Sequence, residues 1–343
     1  MLELLKLNLQ LFATNKTTDQ NTDSSAPTYT SNDLSIEMKT FYSDYLIDMA
    51  EPMLVHDQFG QKRPIPANGG KTIEFRKYDS LPKALTPLSE GVTPAGSKLN
   101  TSGITATVSQ YGDFIELSDM LLLTAIDNNL VEATKLLGSQ AGRTLDTVTR
   151  EVLCGGSNVR YADGTGTSRS TLVGGQASGN NYLTVDTVRK AVRDLKKFNA
   201  EKINGFYAGI IHPDVSYDLM SDPAWKYPHQ YKDTENIYSE EIGEIGGVRF
   251  VETTEAKILP KAGASNRDVY CTLIMGANAY GVTEVTGGGL QHIVKQLGSS
   301  GTADPLNQRA TAGWKATKVA ERLVEQYLVR VESTSTFNDG VAN

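Results

Sequence analysis

The sequence predicts an α+β fold, and three features carry the prediction. Leu130, Ala133, Leu137, Ala141, Leu145, Val148 and Val152 recur at steps of three and four, so one long helix keeps a continuous apolar face. "KTIEFRKY" and "GITATVSQYGDFIEL" alternate as strands do, on either side of a stretch rich in Pro, Gly and Ser. Beyond residue 183, helical patterns and short apolar strands follow one another to form a second lobe.

Taken in order, residues 1–35 read as a flexible arm. The opening "MLELLKLNLQLFA" sets Leu2, Leu5, Leu9 and Phe12 at helical spacing. The polar run after it has too few apolar groups to offset its ordering entropy. The tip is either a docking segment or a frayed terminus; Glu3 and the lack of a small-residue cleavage site argue against a secretory signal. Residues 36–59 form a helical segment, apolar and aromatic at Phe41, Tyr42, Tyr45, Leu46 and Met49 and ended near Pro52.

Residues 60–117 read as one long two-stranded excursion. An isolated ribbon of this kind is marginal in water, so something outside the segment must support it. From Asp119 to Leu153 the pattern is helical, with a break near "DNN" at 127–129; a helix over 130–153 would be roughly 35 Å long. Gly138 and Gly142, one turn apart, predict close packing against a sheet or a neighbouring helix. The glycine-rich stretch from Cys154 to Asn181 reads as a surface loop, with neither GxxxxGK[ST] nor a GxGxxG placed to cradle phosphate.

In the second lobe, residues 183–300, Thr184 caps a helix whose Val185, Val188, Ala191, Val192 and Leu195 share a face. "FYAGIIHP", "GGVRFVET", "VYCTLIMG", "AYGVTEV" and "LQHIVKQL" read as strands and "DVSYDLMSD" as a short helix. The last segment, 301–343, is ambiguous in period; "YLVRVEST" favours a strand that pairs back with the first lobe.

Composition sets limits on function. The 343 residues suffice for a full core in two lobes, and 39% hydrophobic content with 31 glycines describes a turn-rich globular chain. The net charge of −7 excludes the overall positive footprint of a protein that grips nucleic acid through its phosphates. No stretch approaches the roughly 20 apolar residues that span a bilayer, so a soluble protein without membrane contact is expected. Cys154 and Cys271 lie far apart and form neither a CxxC pair nor a disulfide framework, which fits a reducing site of folding.

Charge is unevenly placed. Lys62, Arg63, Lys71, Arg76, Lys77, Lys83 and Lys98 face only Glu74, Asp79 and Glu90 between residues 60 and 105, whereas the stretch 214–255 is strongly acidic. A basic extension and an acidic body suit head-to-tail contact between identical copies; two solvated faces are the other reading.

Signs of catalysis are weak. His56, His212, His229 and His292 are isolated, without HExxH or a His/Cys/Asp cluster, and no GxSxG nucleophile elbow occurs. His212, in "IIHPD", reads as support for a turn. No catalytic, cofactor-binding or metal-binding residue is assigned, and no cofactor is expected. In "DPLNQRATAGWK" (304–315), Asp304 and Pro305 read as a turn and Arg309 as the partner of a nearby acid. Gly313 and Trp314 read as the close approach and apolar anchor of a seam between domains or subunits.

The ordered set "EGVTP", "ITATVSQYGDFIELSD", "RTLDTVTREVLCGG", "HPD", "EIGEIGGVRFVET", "VYCTLIMGANAYG", "DPLNQRATAGWKAT" and "VRVES" resembles the N-four-like major capsid proteins of tailed bacteriophages, from about Ile36 to Ser333. The resemblance implies a Hong Kong 97-type shell fold: N-terminal arm, extended loop at 60–117, peripheral domain at 118–182 with a spine helix, axial domain at 183–300, and a return strand to the peripheral domain at 301–343. It implies a non-enzymatic subunit of the virion that assembles with itself through pentamers and hexamers in the host bacterial cytoplasm. Scaffolding, portal and decoration proteins are implied partners, as is packaged double-stranded DNA held without sequence specificity. The seven basic residues would then lie at inter-subunit contacts. An encapsulin-like nanocompartment shell shares the fold type, and an enzyme with a dispersed site is a more distant alternative.

Overall fold

The structure is a computed structural model describing residues 55–66, 69–78, 81, 83–85, 87, 90–91, 93, 96–124, 129–162, 168–175, 180–225, 241–283, 285–286, 290–299, 304–338 and 340–343. The arm, the helix expected from Ile36 to Leu54, and His229 lie outside these residues.

Four α-helices and fourteen strands are described. The first part of the chain holds β1 (Gln61–Lys62), β2 (Thr72–Tyr78), β3 (Thr101–Thr107), β4 (Ser109–Ser118), α1 (Asp119–Thr124), α2 (Asn129–Cys154) and β5 (Val159–Tyr161). It continues with α3 (Val185–Lys197), β6 (Tyr207–Ile211), α4 (Pro213–Ser221), β7 (Glu241–Ile245), β8 (Val248–Glu252), β9 (Ile258–Leu259) and β10 (Val269–Met275). The last strands are β11 (Tyr280–Thr283), β12 (Gln291–Lys295), β13 (Arg309–Arg322) and β14 (Leu328–Ser333).

A seven-stranded sheet runs β5-β14-β10-β6-β8-β7, with β9 also on β10. Its central strands, "YAGII" and "VYCTLIM", are buried along their whole length because both faces are covered, which explains their unbroken apolar character. Tyr207, Ile211, Tyr270 and Ile274 face one core with α3 and α4. The alternate residues Ala208, Ile210, Cys271, Leu273 and Met275 face another, with Leu153 and Cys154 at the end of α2 and with Val55 and Phe59. Helix α3 starts where the Thr184 hydroxyl accepts the Thr187 N–H, and it buries Val185, Val188, Ala191, Val192 and Leu195 as its spacing requires. Each fully buried aliphatic side chain of this kind contributes about 2 kcal/mol.

A five-stranded sheet runs β1-β11-β13-β12, with β4 on the other pairing of β13. Helix α2 lies on it through Leu137, Ala141, Ala312, Trp314 and Ala316. The two-stranded ribbon β2–β3 completes the architecture.

The structure changes several expectations. "GITATVSQYGDFIEL" is two strands that part at Val108: β3 pairs with β2, whereas β4 pairs with β13 from Ser109↔Lys318 to Ser118↔Arg309. The ribbon is therefore confined to 72–107, and the flanks of the 60–117 segment belong to the five-stranded sheet. The loop after Cys154 is more than surface, since β5 pairs with β14 and Ala162 and Leu172 are fully buried. "YLVRVEST" does not simply return to the first lobe, because β14 inserts between β5 and β10. A side chain added at Gly138 would meet nothing within 4 Å, so that glycine marks no close packing.

Candidate functional site

The ribbon stands on an aromatic foot. Antiparallel pairing runs from Thr72↔Thr107 to Tyr78↔Thr101, which puts Phe75 opposite Ile104 and next to buried Ala106. The Phe75 ring seats on Gly281 of β11, where a Cβ would lie 2.8 Å from ring atoms. A residue without a side chain is what allows this approach, and the contact supplies the outside support that a bare ribbon lacks.

The structure separates the seven basic residues into three places. Lys62 and Arg63 are exposed on β1 and just after it, where the Arg63 N–H donates to Val282 at 3.2 Å; they line a hollow of about 300 Å³ with Asp57, Leu290 and Lys318. Lys71 is exposed at the start of the ribbon, and exposed Arg76 pairs with Glu74 at 3.3 Å on its outer face. Lys77 follows on the same strand. Lys83 and Lys98 are exposed in the connection between β2 and β3, alongside the strongly exposed Leu85 and Leu99. Ionic contacts this exposed contribute little to the stability of the subunit.

The seam is built on β13. The Asp304 carbonyl accepts the Asn307 N–H at 3.1 Å to close a turn after Asp304 and Pro305, and the Asp304 carboxylate accepts the Arg309 N–H at 2.8 Å. The Arg309 guanidinium pairs with Glu116 of β4 at 3.1 Å. Gly313 lies between Phe114 and Ile293, and a Cβ there would come within 2.8 Å of the Phe114 Cβ. Trp314 is buried against Leu137 and Ala141 of α2 and donates from Nε1 to Gln140 at 3.2 Å. Gln140 in turn donates to Asp113 at 2.7 Å, and this bond, with one from the Phe114 N–H, holds the Asp113 carboxyl below its ordinary value. These contacts bind β4, β13 and α2 within one subunit.

A polar lock escaped the sequence reading. The Asp146 carboxylate accepts the His56 N–H at 2.9 Å and meets its Nδ1 at 2.6 Å, with both side chains almost fully buried. Asp57 accepts the Thr149 hydroxyl at 2.6 Å and pairs with Lys318 of β13, while the Tyr280 hydroxyl donates to the His56 carbonyl. Burial pushes the Tyr280 phenol well above its ordinary range, and Asp57 adds to the effect. The signal was present as Asp146, Thr149, Arg150 and Leu153 at steps of three, one and three. Asp146, Thr149 and Arg150 turn inward with Leu153 along the second half of α2, leaving Leu145, Val148 and Val152 half-buried.

His212 caps α4, its Nδ1 accepting the Asp214 N–H at 3.2 Å. No group of His, Cys, Asp and Glu is placed to hold a metal among the described residues, and none of their helices is long and apolar enough to cross a membrane. The arrangement offers contact surface: a basic, leucine-bearing ribbon and a body stiffened by a seam and a lock.

Residues 118–303 match the model of a family described as phage capsid protein. No curated protein matches the sequence. Among solved structures, the capsid of Ralstonia phage GP4 is similar with a TM-score of 0.67 at 13% identity, covering 94% of this chain and 98% of that one. The cyanophage Pam1 capsid asymmetric unit gives 0.63 at 14%, covering 92% and 98%. A structure of Mycobacterium phage Che8 gives 0.54 at 10%, covering 85% and 95%. Identities this low speak for the fold alone, which is of the Hong Kong 97 type.

Proposed function

The chain belongs to the phage capsid protein family, and from that membership we propose that its copies build an icosahedral shell around double-stranded DNA through rings of five and six. It is a structural protein of the virion, which associates with itself and is not an enzyme. The family match, which runs from the start of α1 through α2 and most of the seven-stranded sheet, carries the proposal.

In this reading the ribbon is the extended loop, α2 the spine of a peripheral domain, and the seven-stranded sheet the centre of an axial domain. The ribbon crosses to a neighbouring copy with Lys71, Arg76, Lys77, Lys83 and Lys98, while Lys62 and Arg63 meet that neighbour at the ribbon's base. Acidic surface on the neighbour receives them, and many weak contacts repeated by symmetry add up to a closed shell. The seam at Asp304, Arg309, Gly313 and Trp314 keeps each body rigid enough for the repeats to stay in register. A chain of net charge −7 meets packaged DNA without sequence-specific grip. Scaffolding, portal and decoration proteins are its further partners, and assembly takes place in the host bacterial cytoplasm.

The contact claim is tested by changing Lys71, Arg76 and Lys77 together to Glu. The subunit is expected to keep its circular dichroism spectrum and melting behaviour while particles disappear from electron micrographs. Normal particles from the triple variant would refute the electrostatic contact.

A further inference from the structure

We propose that strand β12 is a self-pairing edge, which joins the β12 of a second copy antiparallel across a two-fold axis and so ties one ring of subunits to the next. The strand hangs on one neighbour. β12 pairs with β13 from Gln291↔Lys315 to Lys295↔Thr311, and among the described residues no strand pairs with its other edge. Residues 290–299 are exposed throughout, Leu290, Ile293, Val294 and Leu297 included. An open edge bearing apolar, β-branched side chains is a template for another strand, and the usual guards against pairing are few here: between 290 and 299 there is no Pro and the one charged side chain is Lys295.

The sheet beside this edge is apolar toward the same side. Phe114, Gly313 and Ile293 stand opposite one another on β4, β13 and β12, so they share the face turned away from Trp314 and α2. Phe114 and Ile293 are both exposed on it. Nothing within the described subunit covers this row.

A second copy fits because the strand complements itself. Across a two-fold axis, whatever one copy presents the other presents in reverse. With Ile293 on the axis, Ile293 meets its own counterpart, His292 meets Val294 and Gln291 meets Lys295, so no like charges oppose one another. This register pairs every residue of β12, whereas centring on Lys295 would pair fewer and set two ammonium groups face to face. It also places the two Phe114, Gly313 and Ile293 rows end to end, as one apolar band on a continuous sheet. The basic ribbon is a poor occupant, because its lysines would add to Lys295 and Lys315 at this edge. The inference rests on the shell reading, in which rings of five and six must be linked to one another.

The test is a cross-link in the full chain under assembly conditions. Ile293→Cys puts a thiol on the axis, with the two Cα atoms about 5 Å apart, within the span of a disulfide. Mild oxidation should turn most of this variant into dimers on non-reducing gels, with a peptide map that joins two copies of the β12 peptide to each other. Gln291→Cys, whose thiols would lie roughly 14 Å apart along the paired strands, should stay unlinked. Ile293→Lys sets like charges on the axis; it should keep the melting behaviour of the wild type and lose closed shells in favour of free rings. Should that variant fail to fold, the cross-link decides. Equal linking of Ile293→Cys and Gln291→Cys, or normal shells from Ile293→Lys, would overturn the proposal. Shells whose Ile293→Cys subunits stay unlinked, as pairing with any other strand would leave them, refute the edge pairing alone. Linked dimers from a protein that never forms shells refute the shell reading alone.

Discussion

At the residue scale, polar groups buried between the first described residues and α2 pair with one another, although His56 Nε2 and Arg150 Nε stay without a partner among the described residues. Asp146 accepts the His56 backbone N–H and meets its Nδ1, while the ring's Nε2 is buried without such a partner. Asp146→Ala would leave two buried donors without acceptors, and a loss of about 3 kcal/mol is expected from urea unfolding. Glu325 sets a pH dependence. Burial pushes its carboxyl up, but bonds from the Ser157 and Asn158 N–H groups and from Arg322 outweigh this and leave it below its ordinary value. A carboxyl depressed in the folded state stabilises above its unfolded value of about 4, and that contribution is lost as pH falls through the folded value. Between about pH 7 and about pH 3 the urea midpoint of the wild type should therefore drop further than that of Glu325→Gln. Equal drops would show that Glu325 carries no such stability.

At the element scale, the ribbon depends on one ring. Phe75 packs on Gly281 at its foot, whereas Leu81, Leu85 and Leu99 farther along are exposed. Phe75→Ala is expected to cost about 3 kcal/mol locally and to release the ribbon from the sheet. Limited proteolysis should then cut between residues 79 and 100 several times faster, while fragments of the seven-stranded sheet persist. Unchanged cleavage would mean that the ribbon is held elsewhere. The need for support was legible in the sequence, since "KTIEFRKY" alternates but cannot form a core alone. The supporting group was not, because a glycine some two hundred residues away carries no local sign of what it accommodates.

For the whole molecule, what was legible is what repeats locally. The period of α2, the Thr184 cap and the apolar runs of β6, β8 and β10 fix element type within a few residues. Partnership between elements was harder to read. One alternating run became β3 and β4 in different sheets because Val108 marks a change of partner without a change of pattern. Of the seam residues, Arg309 found its acid in Glu116 and Trp314 its apolar contacts on α2, but Asp146 was hidden by the apolar stripe beside it and Asp57 by the sequence distance to its partners Thr149 and Lys318. The basic residues were visible as a charge excess, yet only topology separates those at the ribbon's base from those along it. The central claim concerns many copies at once, so electron microscopy of the purified wild-type protein tests it most directly. Closed shells with five-fold and six-fold rings are predicted, and a protein that stays a monomer across assembly conditions would contradict the account.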